Sequence, residues 1–147
     1  MNVFDSRVAY LQSGYPTHIS ARYLDKPELI VESCTPNSYF LVMTHDHALD
    51  QQLVEAVLAR GDFAYCGLIG SRSKRIKFRR RLREKGFSDQ ELSGLTCPMG
   101  LNELHTKKPM EIAVSVIAEI LMLRNRQQSN GVLFDNEANI VRLESVD

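Results

Sequence analysis

Between Tyr39 and Lys85 apolar and polar positions come in blocks that read as strand, helix, strand, helix. Tyr39–Thr44 is a short apolar run rich in β-formers, as a strand buried on both faces would be. From Leu49 apolar residues recur at Leu53, Ala56 and Val57, the spacing of an amphipathic helix, and Gly61-Asp62 ends it. Phe63–Ile69 is a second apolar run, after which Gly70-Ser71 opens a basic helix. Two strands joined by a helix are most simply parallel, with a right-handed crossover. Ligands on open parallel sheets sit beyond the carboxyl ends of the strands. Here those ends read THDHALD, residues 44–50, and GLIGSRSK, residues 67–74, and the site is placed there.

The flanking segments are less regular. Asn2–Asp5 looks like a short strand ending in an acid, with neither a first strand nor a GxGxxG loop before it. In dinucleotide-binding folds the acid after the second strand hydrogen-bonds a ribose hydroxyl, although Asp at a strand end also serves as a plain turn or helix cap. The chain therefore reads as starting one βα unit late. Residues 13–38 are turn-rich, with room for a weak strand near Thr17–Tyr23 and a short helical or extended piece at Glu28–Ser33. Ser88 with Glu91 three residues on is a capping box, and Cys97-Pro98-Met99-Gly100-Leu101 is a tight loop. From Pro109 a helix runs to about Asn125, with Glu111, Ser115 and Glu119 as a narrow polar stripe on an otherwise apolar surface. The division expected is a Rossmann-like domain over residues 1–130 and a tail over 131–147, read as a loose hairpin of Val132-Leu133-Phe134 and Asn139–Leu143.

Composition narrows the class. At 147 residues the chain makes one domain able to bury about 70% of its unfolded surface. Net charge is zero but uneven: residues 72–85 hold nine Lys or Arg against Glu84, a local +8, which leaves −8 for the rest. A nucleic-acid or membrane binder shows a basic excess over a whole face without so acidic a remainder, so neither partner is expected. Lys77 to Lys85 reads most simply as a solvated helix surface. The three cysteines, Cys34, Cys66 and Cys97, form no CxxC pair and fit reduced thiols. With no run of 18 apolar residues and no signal-peptide core at the start, the reading is cytosolic.

GLIGSRSKR has a clear physical logic. Gly67 and Gly70 let backbone approach closely, and Gly70-Ser71 can present N–H groups at a helix N-terminus. Arg72 and Lys74 add positive charge beside the helix dipole, which suits a phosphate, although an exposed glycine turn explains the same residues. It is not a Walker A loop, since the GK[ST] ending is missing. THDHALD stays open between readings. His45-x-His47 with Asp50 resembles the HxHxDH metal motif, but no His follows and only His18 and His105 remain, so no metal site is expected. Thr44 has no dedicated base arrangement for a nucleophile. Asp46 as a helix cap, or a polar strand end that hydrogen-bonds a ligand, are the two readings left.

Taken together, FDSR at 4–7, VMTHDHALD at 42–50, YCGLIGSRSKR at 65–75, CPMGL at 97–101 and PMEIAVSVIAEIL at 109–121 resemble the C-terminal Rossmann-type domain of the XdhC/CoxI family. These are accessory proteins of xanthine dehydrogenase and related molybdenum hydroxylases. The resemblance covers about residues 1–125. It implies an accessory protein without turnover of its own, which binds molybdenum cofactor in its molybdopterin form. It also implies sulfuration with a cysteine desulfurase and delivery to a xanthine dehydrogenase-type enzyme. The family's pattern puts the ligand near Asp5, His45, Asp46, Asp50, Gly70, Ser71, Arg72 and Lys74.

The fold expected is α/β, a Rossmann-like parallel sheet flanked by helices and lacking the first strand and glycine-rich loop. Without that loop, NAD(P) is not expected as a cofactor, which speaks against a nucleotide-dependent oxidoreductase. A ligand-free interaction module is the third reading, suggested by the apolar helix 109–123. In the order 3-2-1-4-5-6 the absent strand is the middle one, so the gap must be filled by direct pairing or by a donated strand. The tail can fill it in cis or from a second copy, and a two-fold homodimer is expected.

Overall fold

The computed structural model describes the chain apart from residues 13, 24–25, 105, 130–139 and 145–147, with residues 27, 129 and 140–144 described by backbone alone. The elements run in the order β1 (Asn2–Asp5), α1 (Val8–Leu11), β2 (Ser20–Tyr23), α2 (Pro27–Ser33), β3 (Tyr39–Met43), α3 (His47–Arg60) and β4 (Tyr65–Leu68). Then follow α4 (Arg72–Glu84), α5 (Asp89–Ser93), β5 (Leu95–Thr96), α6 (Pro109–Ser129) and β6 (Ile140–Glu144). All six strands form one parallel sheet in the order β2-β1-β6-β3-β4-β5. It is an α/β Rossmann-like fold.

Local chemistry sets most of the boundaries. Asp46 caps α3 by accepting the Ala48 N–H at 2.7 Å, and Gly61 ends it at φ 74°, a left-handed position that suits glycine. Ser71 caps α4 and accepts the Lys74 N–H at 3.2 Å. The Ser88–Glu91 capping box forms as expected. Helix α6 extends past Asn125 to Ser129, because Arg126-Gln127-Gln128 are good helix formers and no breaker stands before Asn130-Gly131. The two-residue β5 and the single turn α1 are too short to leave a periodic pattern in the sequence.

Alternation along β3 and β4 divides the core between the two faces of the sheet. Phe40, Val42, Cys66 and Leu68 join Val54, Val57, Phe78 and Leu82 on the side covered by α3 and α4. Tyr39, Leu41 and Tyr65 turn to the other side, against Val116 and Ile120 of α6. The strands are thus buried on both faces, as their continuous apolar character requires. No helix among the described residues is long and apolar enough to cross a membrane.

The sheet is closed in one of the ways the sequence leaves open, by the tail in cis. Its middle position is not vacant, because β6 lies between β1 and β3 and pairs in parallel with both. Ile140 to Glu144 run beside Tyr39 to Met43, while Val141 to Leu143 run beside Asn2 to Phe4. The observed order matches 3-2-1-4-5-6, with the last strand of the chain in the place of the first. The physical reason is that β1 and β3 each present an edge of backbone donors and acceptors, which one inserted strand satisfies on both sides. The hairpin reading of the tail fares accordingly: its second arm is this sheet strand, and its first arm, 132–134, lies outside the described residues.

The strand makes three register pairs with β1 and five with β3. At about 0.5–1.5 kcal/mol per hydrogen bond, deleting residues 131–147 removes on the order of 5 kcal/mol, comparable to the stability of a whole domain. The deletion variant is expected to lose its cooperative urea transition or to aggregate through the opened edges. A sharp transition within about 1 kcal/mol of the full chain would show that β6 does not hold the sheet.

Candidate functional site

The carboxyl ends of the parallel strands bring Asp5, Thr44–Asp50, Ile69–Lys74 and the loop after β5 to one edge of the sheet. Asp5, at the end of β1, is 2% exposed, and its carboxylate is taken up by Arg7. It accepts the Arg7 backbone N–H at 2.8 Å and Nε at 3.2 Å, and pairs with the guanidinium at 3.2 Å. Arg7 also stacks over Tyr10, 4.0 Å from the ring centroid. The β6 strand separates Asp5 from the end of β3.

Asp50 is the organising residue between β3 and β4. It is fully buried on the first turn of α3. One carboxylate oxygen accepts the Thr44 N–H at 3.0 Å and the Thr44 hydroxyl at 2.7 Å. The other receives Lys74 Nζ at 2.7 Å, while His47 Nδ1 lies 3.8 Å away. Lys74, which the sequence offers as a phosphate cation, instead ties α4 to the end of β3. Gly70 serves that tie, because a Cβ there would sit 2.6 Å from Lys74 Cδ. His45 is exposed, and Asp46 acts as the α3 cap.

Of the eight sequence-derived site residues, Gly70, Ser71 and Arg72 line a cavity of about 350 Å³. Asp5, His45, Asp46, Asp50 and Lys74 do not line it. Its other walls come from Pro98 to Asn102, Leu104 and Thr106 of the loop after β5, and from Ile112 and Ser115 of α6. Volumes of this order suit small ligands, and the walls mix apolar surface with a few polar groups. The N-terminus of α4 supplies N–H groups without intrahelical partners, and Arg72 adds a full positive charge at the same edge. Backbone donors and a positive charge thus meet at one edge of the cavity.

The loop that walls this cavity is fixed by the polar stripe of α6. Ser115 Oγ accepts the Leu101 N–H at 2.7 Å, and Glu119 accepts the Gly100 N–H at 2.8 Å. Glu111 accepts the Thr106 hydroxyl and pairs with Lys108 at 3.0 Å. Gly100 is obligatory here: its φ is 98°, and a Cβ would meet Ser115 Oγ at 2.7 Å. Glu119 also accepts the Tyr65 hydroxyl at 2.5 Å. The Tyr65 ring reaches it across Gly67, where a Cβ would lie 2.5 Å from the ring. Gly67 thus makes room for a side chain of its own fold. Sequence reasoning found the stripe at Glu111, Ser115 and Glu119, but nothing in it named the loop the stripe holds.

Three buried groups near the site, Tyr65, Cys66 and Cys97, are held protonated. Burial, then the hydrogen bond to the Glu119 carboxylate, pushes the Tyr65 hydroxyl far above its ordinary value. Burial also pushes the Cys66 thiol up to about 12 and that of Cys97 to about 11. Neither offers a thiolate at neutral pH, so neither is poised as a nucleophile. Among the described residues no group of three His, Cys, Asp or Glu side chains is gathered for a metal.

Two outcomes follow. Lys74→Met strands the Asp50 charge in the interior and is expected to cost about 3–5 kcal/mol, whereas exposed Arg72→Ala stays within about 0.5 kcal/mol. Equal urea midpoints for the two variants would contradict the tie. For the thiols the raised values favour the folded state in full below the ordinary 9.0, and this contribution is lost as pH rises from there through about 11 and 12. A thiol reagent at pH 8 should label at most Cys34 in the native protein, with Cys66 and Cys97 following only on unfolding. Rapid native labelling of three thiols would contradict their burial.

Comparison with known proteins agrees with this architecture. A relative from Escherichia coli (strain K12), the uncharacterised protein YqeB, is 36% identical over 90 residues, covering 61% of this chain and 16% of that protein. A solved structure from Bacillus halodurans, described as a xanthine dehydrogenase, is 27% identical with a TM-score of 0.68. The match covers 87% of this chain and 36% of that one. The chain therefore spans well under half of either relative. Residues 1–120 match the family described as the XdhC Rossmann domain. With the parallel sheet and the site at its carboxyl edge, this chain belongs to the XdhC family through its Rossmann domain.

Proposed function

We propose that the domain binds the molybdenum cofactor, in its molybdopterin form, as cargo during maturation of a xanthine dehydrogenase-type enzyme. The observation that carries this reading is the cavity of about 350 Å³ bordered by the N-terminus of α4 and Arg72. Family membership and the Bacillus halodurans relative support the link to that enzyme class. The walls present suit such a ligand. Gly70, Ser71 and Arg72 would take its phosphate, and Ile69, Met99, Leu101 and Ile112 would shield the pterin from water. Asn102 and Thr106 add polar atoms for its edge. When bound, the cofactor carries the molybdenum centre that the recipient enzyme uses; the domain's own part is to hold and orient it. Arg72 is exposed, so the anchor can be released when the cargo passes to a recipient. In this reading the recipient enzyme and a cysteine desulfurase are the partners.

A nucleotide-dependent oxidoreductase is the weaker reading. The 147 residues contain no GxGxxG, and the strand in the first-strand position is the tail strand β6. Calorimetry with molybdopterin and with NAD(P) separates the two. Arg72→Ala should weaken molybdopterin binding by one charge-assisted contact, about 1.5–3 kcal/mol, roughly a ten- to hundredfold loss. NAD(P) should bind with a Kd of roughly millimolar or weaker. Unchanged molybdopterin binding by Arg72→Ala would move the site elsewhere, and a micromolar NAD(P) constant would revive the oxidoreductase.

A further inference from the structure

We propose that the outward face of α6 pairs with the same face of a second copy of this chain, as an antiparallel helix pair about a two-fold axis. Val116 and Ile120 turn one side of α6 into the sheet. The opposite side carries Met110, Val114, Ile117 and Leu121, exposed by 76, 61, 57 and 50%. At 3.6 residues per turn these four fall within an arc of about 60° pointing away from the sheet. A helix on a protein surface ordinarily turns charged residues to water along that side. Here the two acidic residues of the stretch are engaged elsewhere. Glu111 is held by Thr106 and Lys108, and Glu119 by Tyr65 and Gly100. The row is apolar from end to end.

Its spacing identifies the occupant. The steps from Met110 to Val114, Ile117 and Leu121 are four, three and four residues, which read the same in both directions. A two-fold axis crossing the helix midway between Val114 and Ile117 therefore sets Met110 opposite Leu121 and Val114 opposite Ile117. Every apolar residue of the row meets another, which is the self-complementarity an isologous interface demands. Four–three steps are also the seam spacing of packed helix pairs, and the small Ala113 and Ala118 beside the row allow close approach. The area is sufficient. With Met122 at 48% exposure, the five side chains present on the order of 500 Å² of apolar surface, near the upper end for a monomer. Two copies together reach about 1,000 Å², the lower limit for a biological interface. This pairing involves neither the cavity nor β6, and stands whether or not the domain binds a cofactor.

Sedimentation equilibrium of the full chain is the test. The mass is expected to be twice that of one chain at tens of micromolar, and Val114→Glu or Ile117→Lys should reduce it to one. Both positions are exposed, so circular dichroism and the dilute-solution melt should stay unchanged and distinguish a lost interface from a lost fold. In a Cys34→Ser background, the Met110→Cys/Leu121→Cys double variant should cross-link between chains, whereas Met110→Cys alone should not. In the antiparallel pair the two Met110 positions lie about 16 Å apart, eleven residues at 1.5 Å each. A chain that stays monomeric to about a hundred micromolar, a range in which specific dimers associate, would overturn the proposal. So would a dimer that survives both charge substitutions, or Met110→Cys cross-linking as fast as the double variant.

Discussion

An inner strand of a parallel sheet needs hydrogen-bond partners on both edges, and here β1 and β3 each find one of theirs in the same tail strand. Between β1 and β3 the sheet is continuous only through β6. On one side lie β2 and β1 with Asp5; on the other lie β3, β4 and β5 with the cavity. Everything at the carboxyl edge takes its position from strands that this insertion holds in register. An unpaired buried N–H or C=O costs about 1–3 kcal/mol, so a row of them on two facing edges would exceed most single-residue contributions to stability. The strand β6 is therefore part of the scaffold of the site.

The chemistry of the edge follows from which charges the fold has already neutralised. Asp5 is taken by Arg7, and Asp50 by Lys74 and Thr44. Glu119 holds Tyr65 and Gly100. Arg72 remains at the cavity beside the dipole of α4, with a wall of backbone and apolar side chains opposite. In the proposed function this arrangement would hold an anion by orientation and release it with its cargo. With both nearby thiols protonated at neutral pH, it holds no poised nucleophile in that pair.

Much of this was legible in the sequence, and the limits have physical causes. Strands β3 and β4 and helices α3 and α4 showed themselves because burial on two faces and helical periodicity leave local patterns. The Ser88–Glu91 box and the Asp46 cap did so because capping acts within three residues. Lys74 was visible as a charge, but its partner Asp50 lies 24 residues away, and a charge count cannot say which cations are already paired. Gly67 and Gly70 looked like ligand-facing glycines, whereas they clear space for the side chains of Tyr65 and Lys74. The polar stripe of α6 was plain from its four-residue spacing, yet its targets, from Tyr65 to Thr106, are tertiary neighbours. The place of β6 was named only as one way to fill a gap, since a short apolar strand carries no mark of which two edges it will join.

The central claim is that the anchor for an anionic ligand lies at Gly70–Arg72 and faces the Gly100–Thr106 loop. Amide chemical-shift mapping during titration with molybdopterin, and with inorganic phosphate as the minimal probe, tests this most directly. The account predicts that both ligands shift the amides of Gly70 to Ser73, and that molybdopterin also shifts Gly100, Leu101 and Asn102. Shifts gathered instead around Asp5 or Thr44 to Asp46, or none at either loop with molybdopterin in excess, would contradict it.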